Sequence, residues 1–177
     1  GSSTSMAEPL GVGVSNYLVD RDSKGATRPL PEEKYYIPGS VLHMKVNNTV
    51  PLAYGMPERA NVMFDNSPVF RVHADSTARR VSSIAWFAGP DVMKSGWAWG
   101  GHYLDGGRAV VDATLGSGKV VLFGPEVAFR GQAHDTYKLL FNSLFYGHAV
   151  PRSIGTARTA DRGSSHDDGA NRSSTGG

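Results

Sequence analysis

The sequence predicts an α/β fold that is rich in strands and has one strong helix near its C-terminal end. Three observations lead to this prediction: several short segments of strand character, a glycine-containing hairpin between two of them, and one run of apolar residues at helical spacing. A chain of 177 residues is long enough for one domain with its own hydrophobic core.

Short strands are predicted first. In VLHMKV the apolar side chains alternate, so that Leu42, Met44 and Val46 share one face of a strand. Three further segments rich in β-branched and aromatic residues follow, separated by Pro, Gly, Asn and Asp. They are NVMF at 61–64, VFRV at 69–72 and VSSIAWFA at 81–88.

A β-hairpin is predicted between two of the later strand segments. RAVVDATL at 108–115 and KVVLF at 119–123 flank Gly116, Ser117 and Gly118, and glycine supplies the positive φ that a short hairpin loop needs. Because KVVLF is apolar on both faces, we expect it to be a central strand that is covered on both sides.

The helix is predicted within HDTYKLLFNSLFYG, at 134–147. His134 or Asp135 can cap its start and Gly147 can close its end. Its apolar positions recur at helical spacing, and we expect this stripe to dock on the sheet. The stripe consists of Tyr137, Leu140, Phe141, Leu144 and Phe145.

Composition divides the chain into three parts. We expect residues 1–8 to be a disordered segment or a cloning remnant, 9–148 to form the domain, and 149–177 to be a disordered tail with almost no large apolar residue. One helix cannot cover both faces of a parallel sheet. Either part of the domain is therefore absent from this chain, or another chain covers the open face.

Several classes of function are disfavoured. The net charge is only +2 and the longest basic run is Arg79-Arg80, which disfavours nucleic acid as a partner. Cysteine is absent, so neither a thiol nucleophile nor a thiolate metal site is available. No apolar run reaches the roughly 20 residues of a membrane span. Neither a zinc-binding spacing nor a G-x-S-x-G motif occurs.

The aromatic segment SGWAWGGHYL at 95–104 is a candidate binding site. Trp97, Trp99 and Tyr103 alternate among glycines, with His102 beside them. Alternation puts both tryptophans on one face of an extended segment, where they could stack on a sugar or a peptide. The alternative is that the tryptophans pack against the rest of the domain.

A second candidate site lies in FGPEVAFRGQAHDTYKLLFN at 123–142. A strand ends here, and the loop that leads to the helix contains Glu126, Arg130 and His134. Ligands of open α/β sheets bind at the carboxyl ends of strands, and arginine near a helix N-terminus favours an anion. A structural ion pair between Arg130 and Glu126 is the alternative interpretation.

Two long segments, 35–70 and 95–147, resemble the C-terminal region of large bacterial zinc carboxypeptidase-like proteins of peptidase family M14. There the region looks like a class I glutamine amidotransferase-like domain. The resemblance implies a flavodoxin-like α/β sheet, of which 9–148 would be the C-terminal part, and a periplasmic or extracellular location. It also implies zinc in the parent protein, a peptide hydrolase, but no cofactor in this chain.

The catalytic groups of neither family can be placed in this chain. The zinc ligands of M14 peptidases would lie in an upstream domain. The late H-P-E motif of amidotransferases corresponds to Gly124, Pro125 and Glu126, so glycine replaces the catalytic histidine and the Cys–His pair cannot form. We therefore expect a non-catalytic accessory domain, whose partner is the upstream peptidase domain or another copy of itself. The alternatives are a peptide- or glycan-binding module that uses Trp97 and Trp99, and an enzyme that uses Glu126, Arg130 and His134.

Overall fold

A computed structural model of the chain describes residues 7, 10–74, 80–146 and 149. The predicted disordered segments at the two ends therefore lie almost entirely outside the described residues. The described part contains ten strands and the helix α1 (Tyr137–Tyr146). The strands are β1 (Val14–Asn16), β2 (Val19–Arg21), β3 (Thr27–Pro29), β4 (Ser40–Val46), β5 (Arg59–Phe64), β6 (Phe70–Val72), β7 (Val81–Trp86), β8 (Met93–Ser95), β9 (Arg108–Leu115) and β10 (Gly118–Phe123).

Eight of these strands form one sheet in the order β1-β6-β9-β7-β4-β5, in which β10 also pairs with β9 and β8 also pairs with β4. The strands β2 and β3 form a separate ribbon. The strand-rich architecture with a C-terminal helix is thus confirmed. Every pairing between the described strands is antiparallel, so the expectation of a parallel sheet is wrong for this part of the chain. Antiparallel neighbours do not need the crossover helices that join parallel strands.

The central strand is β9 rather than β10. Five successive residues of β9 are buried, and they contribute to two hydrophobic clusters: Ala109 and Val110 belong to one, Val111 and Ala113 to the other. The strand β10 also packs against both clusters, but it pairs with β9 alone among the described strands, and most of its residues are half-buried. The apolar residues on both faces of β10 therefore correctly predicted that this strand contacts both hydrophobic clusters. They did not predict that β9, rather than β10, is the central strand.

The predicted hairpin is confirmed. Leu115 pairs with Gly118, so Gly116 and Ser117 form a two-residue loop. Gly116 has a φ of 58°, which fits the left-handed conformation that such loops require.

The predicted burial of the helix stripe is wrong. In α1 the buried residues are Leu139 and Asn142, and Leu140 is half-buried. Most of the predicted stripe faces outward: Phe141 is 54%, Leu144 71% and Phe145 79% exposed. The physical reason is polar, because Asn142 donates hydrogen bonds to the backbone oxygens of Leu52 (3.1 Å) and Tyr54 (3.0 Å) and thereby fixes the rotation of the helix. Among the described residues, no helix is long and apolar enough to span a membrane.

Candidate functional site

Three aromatic side chains form a surface that we call the aromatic surface: Tyr36, Trp97 and Trp99. The rings of Tyr36 and Trp97 meet edge to face with centroids 6.0 Å apart. Tyr36 and Trp99 are bridged antiparallel through two backbone hydrogen bonds of 3.0 Å, and residues directly opposite each other share a face. Trp97 and Trp99 are 53% and 52% exposed, so the prediction that both are available on one face is supported over core packing.

Hydrogen bonds hold this surface in place. The hydroxyl of the buried Ser40 donates to the backbone oxygen of Trp97 (2.6 Å), and the Ser40 Oγ accepts from the backbone N–H of Trp97 (2.9 Å). The indole N–H of Trp99 donates to the backbone oxygen of Glu33 (2.8 Å). The backbone of Trp97 and the indole of Trp99 are therefore held in place before any ligand arrives, which lowers the entropic cost of binding.

The segment is also held by a close approach of two backbones. Gly100 has a φ of 70°, and a Cβ atom at this position would lie 2.1 Å from the backbone oxygen of Lys34. Only glycine fits there.

At the edge of the surface Lys34 forms an ion pair with Asp20. The hydrogen bond from Lys34 and its positive charge lower the pKa of Asp20, and the Asp20 carboxylate in turn raises the pKa of Lys34.

His102 and Tyr103 lie in the 3-10 turn Gly101–Leu104 that follows Gly100. The imidazole of His102 is exposed and stacks on the ring of Tyr103 with centroids 4.3 Å apart. Tyr103 is half-buried and packs against the larger hydrophobic cluster. Tyr103 therefore attaches this segment to the core, whereas the two tryptophans are exposed.

The second candidate site is not assembled. Glu126, Arg130 and His134 are all exposed. Arg130 lies over the ring of Phe129 at 5.2 Å, and His134 lies against Tyr137 with centroids 5.5 Å apart. Among the residues that the structure describes, no hydrogen bond or ion pair joins any two of the three side chains, so the predicted bridge between Glu126 and Arg130 is not formed.

Gly124 is buried and tightly packed. Its backbone N–H donates to the oxygen of Ala109 (2.9 Å). A Cβ atom on Gly124 would lie 2.0 Å from the backbone oxygen of Pro68 and 3.2 Å from that of Ala109. No side chain fits at this position unless the backbone moves, so the place where the resemblance would put a catalytic histidine has no room for one.

A partly buried ion pair was not predicted from the sequence. Lys119 donates to Asp112 at 2.9 Å on one face of the β9–β10 hairpin. It lies beside a groove of about 330 Å³ that also includes Arg80 and Leu52. The other carboxylate oxygen of Asp112 is buried and has no hydrogen-bond partner among the described residues. Within the described part of the chain, no group of three or more His, Asp or Glu side chains has the arrangement of a metal site.

Comparison with known proteins adds no assignment. No protein-family model matches the chain, and neither a curated protein nor a solved structure shows significant similarity to it.

Proposed function

We propose that this chain is a non-catalytic accessory domain of a zinc carboxypeptidase-like protein of peptidase family M14. The observation that supports the proposal most directly is the packing of Gly124, where a Cβ atom would lie 2.0 Å from the oxygen of Pro68. A histidine general base cannot be placed there, and the nearby Glu126, Arg130 and His134 are exposed and unconnected. The antiparallel strands would then be an extension of an amidotransferase-like domain rather than its flavodoxin-like parallel core.

The activity of the purified 177-residue chain tests this proposal. Circular dichroism first establishes that the chain is folded. We expect no release of C-terminal amino acids from peptides with or without added zinc, and no glutaminase activity. Peptide hydrolysis that a chelator abolishes, and that Glu126→Gln or His134→Ala removes, would overturn the proposal and favour the enzyme alternative. An H-x-x-E peptidase domain upstream in the same reading frame would identify the partner.

Binding through the aromatic surface is the second candidate function. It is favoured by the exposure of Trp97 and Trp99 together with the hydrogen bonds that fix their positions. Aromatic faces of this kind bind apolar sugar faces or peptide side chains, and a single aromatic contact contributes about 0.5–1.5 kcal/mol. Loss of one tryptophan should therefore weaken binding by up to about tenfold.

Soluble fragments of bacterial cell wall provide the probe, because a muropeptide contains both a glycan and a peptide. Titration is followed by tryptophan fluorescence and calorimetry, with the disaccharide and the free stem peptide in separate experiments. Trp97→Ala and Trp99→Ala should each weaken binding. Tyr54→Ala, an exposed aromatic residue outside this surface, is the matched control. If none of the three probes binds the parent chain, the candidate function is rejected.

A further inference from the structure

A cleft of about 420 Å³ is lined by residues of the β1–β6 strand pair and of the β2–β3 ribbon, and we call it the basic groove. Ser15 of β1 lies directly opposite Arg71 of β6, and Arg21 of β2 lies directly opposite Thr27 of β3. Opposite residues of antiparallel strands share a face. Each of the two strand pairs therefore contributes one arginine and one hydroxyl group to the groove.

The β1–β6 pair directs polar side chains into the basic groove and apolar ones into the core. Val14 and Phe70 are buried in the smaller hydrophobic cluster. Because strand residues alternate between faces, their neighbours Ser15 and Arg71 lie on the outward face. A hydrogen bond of 3.0 Å joins the Nε2 atom of His73 to the Ser15 hydroxyl, so the imidazole lies beside that hydroxyl group.

The guanidinium of Arg71 is positioned by an aromatic ring. It lies over the ring of Tyr17, 5.1 Å from the centroid, and the Tyr17 hydroxyl donates to the backbone oxygen of Asp105. This cation–π contact restricts the arginine side chain but leaves its positive charge in place. The N–H groups of the guanidinium fork can therefore donate to an anion.

The positive charges of the basic groove are not compensated by the protein. Among the described residues, no acidic side chain lines the groove, and neither Arg21 nor Arg71 forms an ion pair. The carboxylates that lie close in sequence have other partners. Asp20 pairs with Lys34, and Asp22 accepts hydrogen bonds from two backbone N–H groups of the ribbon turn.

Two guanidinium groups and two hydroxyl groups on separate strands suit a phosphoryl group. Arginine forks bind phosphate oxygens through paired, charge-assisted hydrogen bonds. The volume of about 420 Å³ is within the range of small-molecule sites, about 300–1,000 Å³, and leaves room for an organic group. We propose that the basic groove binds the phosphoryl group of a small phosphorylated molecule, with Arg21 and Arg71 as its ionic contacts.

Isothermal titration calorimetry of the 177-residue chain at fixed ionic strength tests the proposal. The probes, in separate titrations, are glucose 6-phosphate, inorganic phosphate, glucose and acetate. We expect saturable binding of glucose 6-phosphate with a dissociation constant of about 1 mM or lower, weaker binding of inorganic phosphate, and no binding of glucose. No saturable binding of either phosphate would overturn the proposal, and so would acetate binding as tightly as inorganic phosphate.

Charge-removing variants locate the site. Arg21→Gln and Arg71→Gln should each weaken phosphate binding by about tenfold or more, because a charge-assisted contact is lost. Arg28→Gln is the matched control: Arg28 is an exposed residue of β3, and alternation places it on the other face of the ribbon from Thr27. It removes the same charge and should leave binding unchanged. An equal loss in this control would show that only the overall charge attracts phosphate, and the proposal would fail.

A measurement on the parent chain does not depend on how the variants fold. Backbone amide chemical shifts are followed by NMR while inorganic phosphate is added. We expect the largest changes at the residues that line the basic groove, and none in α1 or in the aromatic surface. Changes confined to other parts of the chain would contradict the proposed site. Trp97→Ala should leave phosphate binding intact, which separates this site from the candidate function of the aromatic surface.

Discussion

Asn142 fixes the helix, so its replacement tests how the fold is held together. The side chain is buried, and its amide donates two hydrogen bonds, of 3.1 and 3.0 Å, to the oxygens of Leu52 and Tyr54. Each such bond contributes about 0.5–1.5 kcal/mol net, and a buried acceptor that loses its donor adds to the cost. We expect Asn142→Ala to lower the free energy of unfolding by about 2–3 kcal/mol, which corresponds to roughly 5–10 °C in Tm for a chain of this size.

Urea denaturation followed by circular dichroism measures this loss. Ser143→Ala is the matched control on the same helix, because the Ser143 hydroxyl donates only to the oxygen of Leu140, one turn earlier. That substitution should cost less than about 0.5 kcal/mol. If the two variants lose equal stability, or if Asn142→Ala is as stable as the parent chain, the polar anchoring of α1 is refuted.

Two further predictions concern the buried Tyr35 and Gly100, the glycine that follows the two exposed tryptophans. Burial raises the pKa of Tyr35, whose hydroxyl has no partner among the described residues. The resulting stability is present below the unfolded pKa of about 10 and is lost as pH rises toward the folded pKa. Tyr35→Phe should therefore stabilise the chain at pH 8 by about 1 kcal/mol and flatten the alkaline loss of stability; an unchanged alkaline slope in urea titrations would contradict this. Gly100→Ala should destabilise the chain by about 2 kcal/mol or more, because it adds a clash with Lys34 to the backbone strain, and acrylamide should then quench tryptophan fluorescence more strongly. Gly25→Ala, with a φ of +82° and no atom within 4 Å, is its control and should cost less.

Local patterns predicted the elements of this fold well. The alternation at 41–46 places Leu42, Met44 and Val46 in the core of β4, and the β9–β10 hairpin has its loop at Gly116 as expected. Local patterns could not predict which part of the chain each helix or strand contacts. The helix stripe has the spacing of a buried face, but the long-range bonds of Asn142 determine which side is buried, and no periodicity of apolar residues reports them.

The two candidate sites were likewise predicted only where the pattern is local. Alternation predicted the two exposed tryptophans, whereas Tyr36 was missed because it lies about 60 positions earlier in the chain and reaches them only through an antiparallel bridge. The segment with Glu126, Arg130 and His134 was predicted as one possible site because its members are close in sequence. In the structure they point to separate surroundings, since sequence proximity in a loop does not determine side-chain direction.

The roles of the buried polar side chains favour the proposed accessory function over a catalytic one. Active sites commonly hold reactive groups in clefts that exclude water, where burial and neighbouring charges change their pKa values. In the described part of the chain, three of the buried polar side chains instead hold the backbone together: Ser40 anchors Trp97, Thr136 donates to the oxygen of Val127 or Ala133, and Asn142 anchors α1. Groups with catalytic potential, such as Glu126 and His134, remain in solvent.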